Sequence, residues 1–166
     1  MTHNSQTETL TTWLKDAYAM EQGIVEVLER QIGQMDDMPE AQEKMREHLE
    51  LTKTHAERVR DCVERLGEDV SSVKAGLANF LGAAQGMSAV MAKDKMLKNA
   101  MANYAIEYFE IAAYLANAEA ARMLGYEDIA QVCEAIMEEE QEMADWIEEQ
   151  LPMVTRHELS EAVESK

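Results

Sequence analysis

Met101-Ala-Asn-Tyr-Ala-Ile-Glu-Tyr-Phe-Glu-Ile-Ala-Ala-Tyr-Leu115 holds no Gly or Pro, and so predicts the middle of a long helix. Steps of three and four residues trace a polar row through Asn103, Glu107, Glu110, Tyr114 and Asn117. The neighbouring row is apolar: Leu97, Met101, Tyr104, Tyr108, Ile111 and Leu115. In a helix bundle both rows cannot face water, and the apolar one is the expected core seam. Glu107 and Glu110, one turn apart beside that seam, then need partners, and metal ions are one choice.

The composition agrees with a helical reading. The 166 residues contain two Pro and seven Gly, against an abundance of Ala, Met, Leu and Glu, which are good helix formers. The expectation is one all-α domain over residues 1–166, with a bundle core at about 7–151 and a tail at 152–166. A net charge of -18 argues against nucleic acid and anionic membranes as partners. It suits a very soluble protein, or one that handles cations; most of the 33 acids are expected simply to be solvated. Cys62 and Cys133 stand far apart with no Cys-x-x-Cys neighbour, which reads as free buried thiols in a reducing compartment. No basic leader precedes an apolar run at the N-terminus, and no run of 18 apolar residues exists, so a cytoplasmic location is expected.

Outward from the opening stretch, three more helices are predicted. The first runs from about Thr7, with Thr7 or Thr9 as its cap, to Gly33 on the stripe Leu10, Leu14, Ala17, Glu21, Ile24, Leu28, in which Glu21 interrupts an apolar seam. Asp36-Asp37-Met38-Pro39-Glu40 starts the second, with Pro39 at its first position, and Gly67 stops it after Leu66. Its stripe, Met45, His48, Thr52, His55, Val59, Cys62, Leu66, carries two histidines and a threonine where leucines are expected. Val73 to Met91, with three glycines, reads as a short crossover helix. The helix of the opening stretch spans about Lys93 to Leu124 and stops at Gly125. The last runs from Glu127 or Asp128 to Gln150, before Pro152, on Ile129, Cys133, Ile136, Glu140, Met143, Ile147, Leu151. Glu140 lies in that seam, while Glu138, Glu139 and Glu142 point mostly away; Thr155–Lys166 makes a short helix or frays. Each long helix thus carries polar residues at seam positions near its middle.

Two spacings repeat between the halves. Glu21 to Thr52 is 31 residues, with His55 three later; Glu110 to Glu140 is 30, with Met143 three later. Di-iron carboxylate bundles take a Glu from each of two helices and Glu-x-x-His from each of the other two. On that pattern the chain resembles the ferritin-like superfamily. Glu107-x-x-Glu110 is most similar to the rubrerythrin arrangement, and His48-Leu-Glu-Leu-Thr52 with Glu110-Ile-Ala-Ala-Tyr114 resembles a family of small bacterial ferritin-like proteins linked to stress. The resemblance implies a ferritin-like four-helix bundle with metal ligands at Glu21, His55, Glu107, Glu110 and Glu140. Two positions depart from it: Thr52 replaces a glutamate, and Met143, a poor ligand for hard iron, replaces a histidine. The implied cofactor is a pair of iron ions, with manganese or zinc as substitutes, and the implied chemistry is peroxidase or ferroxidase action. No Cys-x-x-Cys module is present to deliver electrons as in a full rubrerythrin.

Four seam carboxylates carry a formal -4, which two divalent cations would cancel. Without cations each buried carboxylate costs on the order of several kcal/mol or stays protonated. Taken singly, the residues have blander readings. Glu21 fits a protonated core acid, His55 a satisfied core histidine, Glu107 a surface acid, and the methionines an adaptable filler. His48, about 10 Å along the axis from His55, reads as a rim contact or as a substitute for the missing glutamate. Tyr18 and Tyr114 either hydrogen-bond ligand carboxylates or simply pack. The alternative function is a metal-free bundle that dimerises or binds a partner through an apolar face; a storage shell has no cage interface to support it. A homodimer is the expected assembly.

Overall fold

The computed structural model describes residues 2–35, 38–71, 73 and 94–164. Helices make up nearly all of this: α1 (Thr2–Ile32), α2 (Pro39–Arg65), α3 (Lys95–Met123) and α4 (Glu127–Glu164). They form an all-α four-helix bundle. Pro39 opens α2. Gly67 and Gly125 close α2 and α3 in the left-handed region, with φ of 83° and 82°. The following amides of Glu68 and Tyr126 reach back to the carbonyls of Val63 and Ala121. A side chain at either glycine would strain that backbone.

Lateral contacts fix the topology. Lys15–Glu68 and Lys53–Glu29 set α1 against α2, and Tyr104–Glu148 with Arg122–Glu134 set α3 against α4. Gln31–Asn103 and Glu21–Tyr114 join α1 to α3, while Arg65–Asp128 and His55–Glu139 join α2 to α4. Every adjacent pair is antiparallel, in the order α1, α2, α4, α3 around the bundle. Helix α3 is therefore parallel to α2 and diagonal to it, and the end of α2 and the start of α3 lie at opposite ends of the bundle, about 40 Å apart along the 27 residues of α2. The crossover helix expected at Val73–Met91 lies, apart from Val73, outside the described residues.

Three expectations need correction. Helix α1 starts at Thr2, not Thr7. Thr9 is inside the helix, and its hydroxyl bonds the Ser5 carbonyl one turn back instead of capping. Helix α4 does not stop before Pro152 but continues to Glu164. Pro152 is exposed, Val154 beyond it is buried, and Glu158 accepts the backbone N–H groups of Met96 and Leu97 at the start of α3. Those contacts offset the lost helical bond. Finally, α3 has its faces the other way round. The polar row Asn103, Glu107, Glu110, Tyr114 and Asn117 is buried, whereas Met101, Tyr108 and Leu115 of the apolar row are exposed. The core is apolar toward both ends and polar in its middle layer, and that layer claims the polar face of α3.

Candidate metal centre

All four helices send acids or imidazoles into the middle layer. Glu21 of α1, His48 and His55 of α2, Glu107 and Glu110 of α3, and Glu140 of α4 are each at most 3% exposed. Five of the six fall into two triads that share one member, and Glu110 belongs to neither. In the first, Nδ1 of His55 lies 2.7 Å from Oε1 of Glu140 and 3.9 Å from Oε1 of Glu21. In the second, Nε2 of His48 lies 3.3 Å from Oε1 of Glu107 and 3.9 Å from Oε2 of Glu140. Within each triad the candidate ligand atoms lie within 4.8 Å of one another. His48 precedes His55 by two helical turns, so the triads stack along the bundle axis with Glu140 between them.

Supporting contacts orient these groups. The Tyr114 hydroxyl donates to Oε1 of Glu21. Nε2 of His55 lies 2.7 Å from Glu139, which also accepts from Arg58 at 2.6 Å. An Nε2–H donated to Glu139 leaves Nδ1 of His55 as a lone-pair donor facing the centre. Eight buried side-chain atoms of these six residues then have no hydrogen-bond partner: one each on Glu21, His48, His55 and Glu107, and both oxygens of Glu110 and of Glu140. The short approach of His55 to Glu140 is among them, because it is not aligned as a hydrogen bond.

Burial is the leading influence on every acid here. It pushes Glu21 up to about 8, with the charge of Glu140 adding to it, and Glu107 up to about 7 against the pull of His48. Glu110, with no cation beside it, is raised well above the carboxylate range by burial and by the charges of Glu140, Glu21 and Glu107. Burial also works on Glu140, but His55 and His48 outweigh it and hold its carboxyl low. Burial disfavours both imidazolium ions; Glu107 overcomes it for His48, and Glu140 for His55, so both are raised. The cluster can thus be neutral in two ways. Four protons shared among the four carboxylates and the two imidazoles cancel the charge, and so would two divalent cations beside neutral imidazoles. A set of carboxylate oxygens and imidazole nitrogens of this kind could hold a metal ion.

The five residues singled out from the sequence, Glu21, His55, Glu107, Glu110 and Glu140, all converge in this layer. His48 joins them, as a full member of the second triad. Its position in the α2 seam was the available signal. Thr52 does not stand in for a glutamate, since its hydroxyl donates to the His48 carbonyl of its own helix at 2.9 Å. Met143 is buried among core side chains. Tyr114 bonds Glu21, whereas Tyr18 packs against the core. Glu139, expected to point away, reaches back to His55; Arg58, one turn from His55, was the signal for it.

A family model described as a domain of unknown function, DUF892, matches residues 5–160. A crystal structure of a protein from Xanthomonas campestris pv. campestris is similar at 29% identity, with a TM-score of 0.79 over 95% of this chain and 98% of that one. YcfI from Rhodopseudomonas palustris, for which a structural role has been suggested, is similar at 26% identity, with a TM-score of 0.73 over 86% of this chain and 92% of that one.

Proposed function

The chain belongs to the DUF892 family, whose description assigns no activity, and we propose from its central layer that it is a ferritin-like protein holding two divalent cations, iron foremost. One observation carries the reading: eight buried oxygen and nitrogen atoms on six residues converge without partners. Orphaned groups of this kind are strongly disfavoured unless something charged sits among them. Glu21 and His55 would hold one ion and His48 and Glu107 the other, with Glu140 shared and the buried carboxylate of Glu110 adding charge to the same layer. When bound, a pair of iron ions supplies redox chemistry toward dioxygen or peroxide, in keeping with the stress-linked proteins that the sequence resembles.

The chain's own residues do the remaining work. Burial excludes bulk water and strengthens every charge interaction in the layer. Tyr114 holds Oε1 of Glu21 and leaves Oε2 free, and Glu139 with Arg58 fixes the His55 ring. A reducing, cytoplasmic setting fits the two free thiols. Elemental analysis of protein from iron-supplemented cells tests the reading. Two irons per chain are expected in the wild type and a loss of both in Glu140→Ala. Metal-free wild type, with Glu21→Ala and Glu140→Ala as stable or more stable, would overturn it.

The outward row of α3 favours a second reading, in which the bundle is a pairing module. Met101 is 56% exposed, Leu115 58% and Tyr108 43%, spaced seven residues apart on one face. A second copy of this chain covering that row gives the homodimer. Light scattering should show a dimer that Tyr108→Glu with Leu115→Glu splits; a monomeric wild type would rule it out. Pairing without iron would leave this as the protein's role.

A further inference from the structure

A cavity of about 300 Å³ lies at the end of the bundle where α1 ends and α3 begins. Its outer wall includes exposed His157 and Met153, so it opens to solvent. Its inner wall includes Met45, Ile147, Gln31 and Asn103. Two of these stand directly over the second triad: Met45 is one turn from His48 on α2, and Asn103 is one turn from Glu107 on α3. Between cavity and triad, Gln31 and Asn103 form a closed amide pair. Gln31 Nε2 donates to Asn103 Oδ1 at 3.1 Å, and Asn103 Nδ2 donates to Gln31 Oε1 at 2.8 Å. Both are buried and each comes from a different helix.

The centre is asymmetric toward this end. Glu21, His55, Glu110 and Glu140 are fully buried, whereas His48 and Glu107 retain 3% and 2% exposure. The far half is closed by Tyr114, itself 0% exposed. The inner cavity wall is thioether, hydrocarbon and neutral amide. The inner wall offers no carboxylate to draw a cation inward: the charged lining residues, Lys95, Glu158 and Glu161, lie at the outer wall, where Glu158 is engaged with the amides of Met96 and Leu97. Such a lining admits a small uncharged molecule that can exchange hydrogen bonds with amides.

We propose that this cavity is the antechamber through which a small neutral oxidant of the peroxide class reaches the His48–Glu107 side of the centre, and that the Gln31–Asn103 pair is its gate. The inference rests on the two-cation reading above. Opening requires only that two amides exchange each other for the incoming molecule, so no helix has to move. On this route the oxidant would reach the His48–Glu107 side first, and Glu21 and His55 on the far side would stay shielded. Gln31 and Asn103 are thereby positioning and selecting residues, not ligands.

The test has one arm without metal. Trp146 lines the cavity and Trp13 is 46% exposed elsewhere, so Trp13→Phe leaves Trp146 as the only reporter. In that background acrylamide should quench Trp146 in the metal-free protein, and Ala100→Phe, which fills the cavity from a half-exposed position, should remove most of the quenching. In the second arm, protein loaded anaerobically with iron(II) is mixed with hydrogen peroxide in a stopped-flow instrument. Ala100→Phe should slow iron oxidation about tenfold, while Gln31→Ala with Asn103→Ala should speed it several-fold, both at unchanged iron content. Circular dichroism confirms that each variant is folded. Oxidation unchanged by Ala100→Phe, in protein that binds two irons and whose Trp146 is shielded, would overturn the route and leave the centre intact. Wild type that takes up no iron would overturn the centre and the route together.

Discussion

Tyr114 makes a single hydrogen bond into the centre, and losing such a support weakens a metal site by roughly ten- to a hundredfold. Tyr114→Phe should therefore weaken iron uptake by about that factor, which anaerobic iron titration would read as a shift of the binding curve to higher iron. His48→Ala should leave one ion per chain by elemental analysis, since the Glu21–His55–Glu140 triad survives. The two cysteines make a different prediction. Burial pushes Cys62 up to about 11 and Cys133 up to about 12, so neither forms thiolate near neutrality. Ellman's reagent at pH 8 should find no reactive thiol until denaturant is added, and then both. Single residues were legible in the sequence where they broke an apolar stripe, as Glu21 and Glu140 do. Glu139 was not, because its role comes from side-chain reach: it is half-exposed, and only the pair His55–Arg58 draws it inward.

At the scale of elements, periodicity gave the lengths of α2 and α3 to within a few residues, because Pro39, Gly67 and Gly125 punctuate them. It failed where punctuation misleads. Pro152 reads as a stop, yet α4 continues because Glu158 and Val154 gain contacts only beyond it. Removing the Glu158 carboxylate should uncap α3: Glu158→Ala is expected to cost about 1 kcal/mol in chemical denaturation, with helix content otherwise kept. Helix α3 shows a second kind of failure. Both its rows are orderly, and sequence alone favours the apolar one as core. The buried row is polar because its partners come from three other helices, which no local pattern records.

For the whole molecule, the repeated spacings of 31 and 30 residues anticipated the two hairpins, since antiparallel neighbours joined by a short turn return to the same height. The stability of the metal-free bundle should depend on pH with a definite sign. Glu21 and Glu107 have folded pKa values of about 8 and about 7, against 4.5 for an ordinary glutamate, so between these limits the folded state binds more protons than the unfolded one. Stability from these groups is full below about pH 4.5 and is lost as pH rises through 7 and 8; the raised histidines act in the same direction, and only Glu140 opposes. The melting temperature of metal-free protein should fall by several degrees from pH 6 to pH 8.5, and metal should restore most at the higher pH. Calorimetric titration of iron(II) in buffers of different ionisation enthalpy should likewise show protons released on binding near pH 6.5.

Glu140 belongs to both triads, and that makes occupancy a joint property of the pair. Its Oε1 faces His55 and its Oε2 faces His48, so on the two-cation reading an ion held on one side would fix the carboxylate for the other. Half-filled chains should be scarce in native mass spectra at limiting iron, with empty and doubly loaded species dominating.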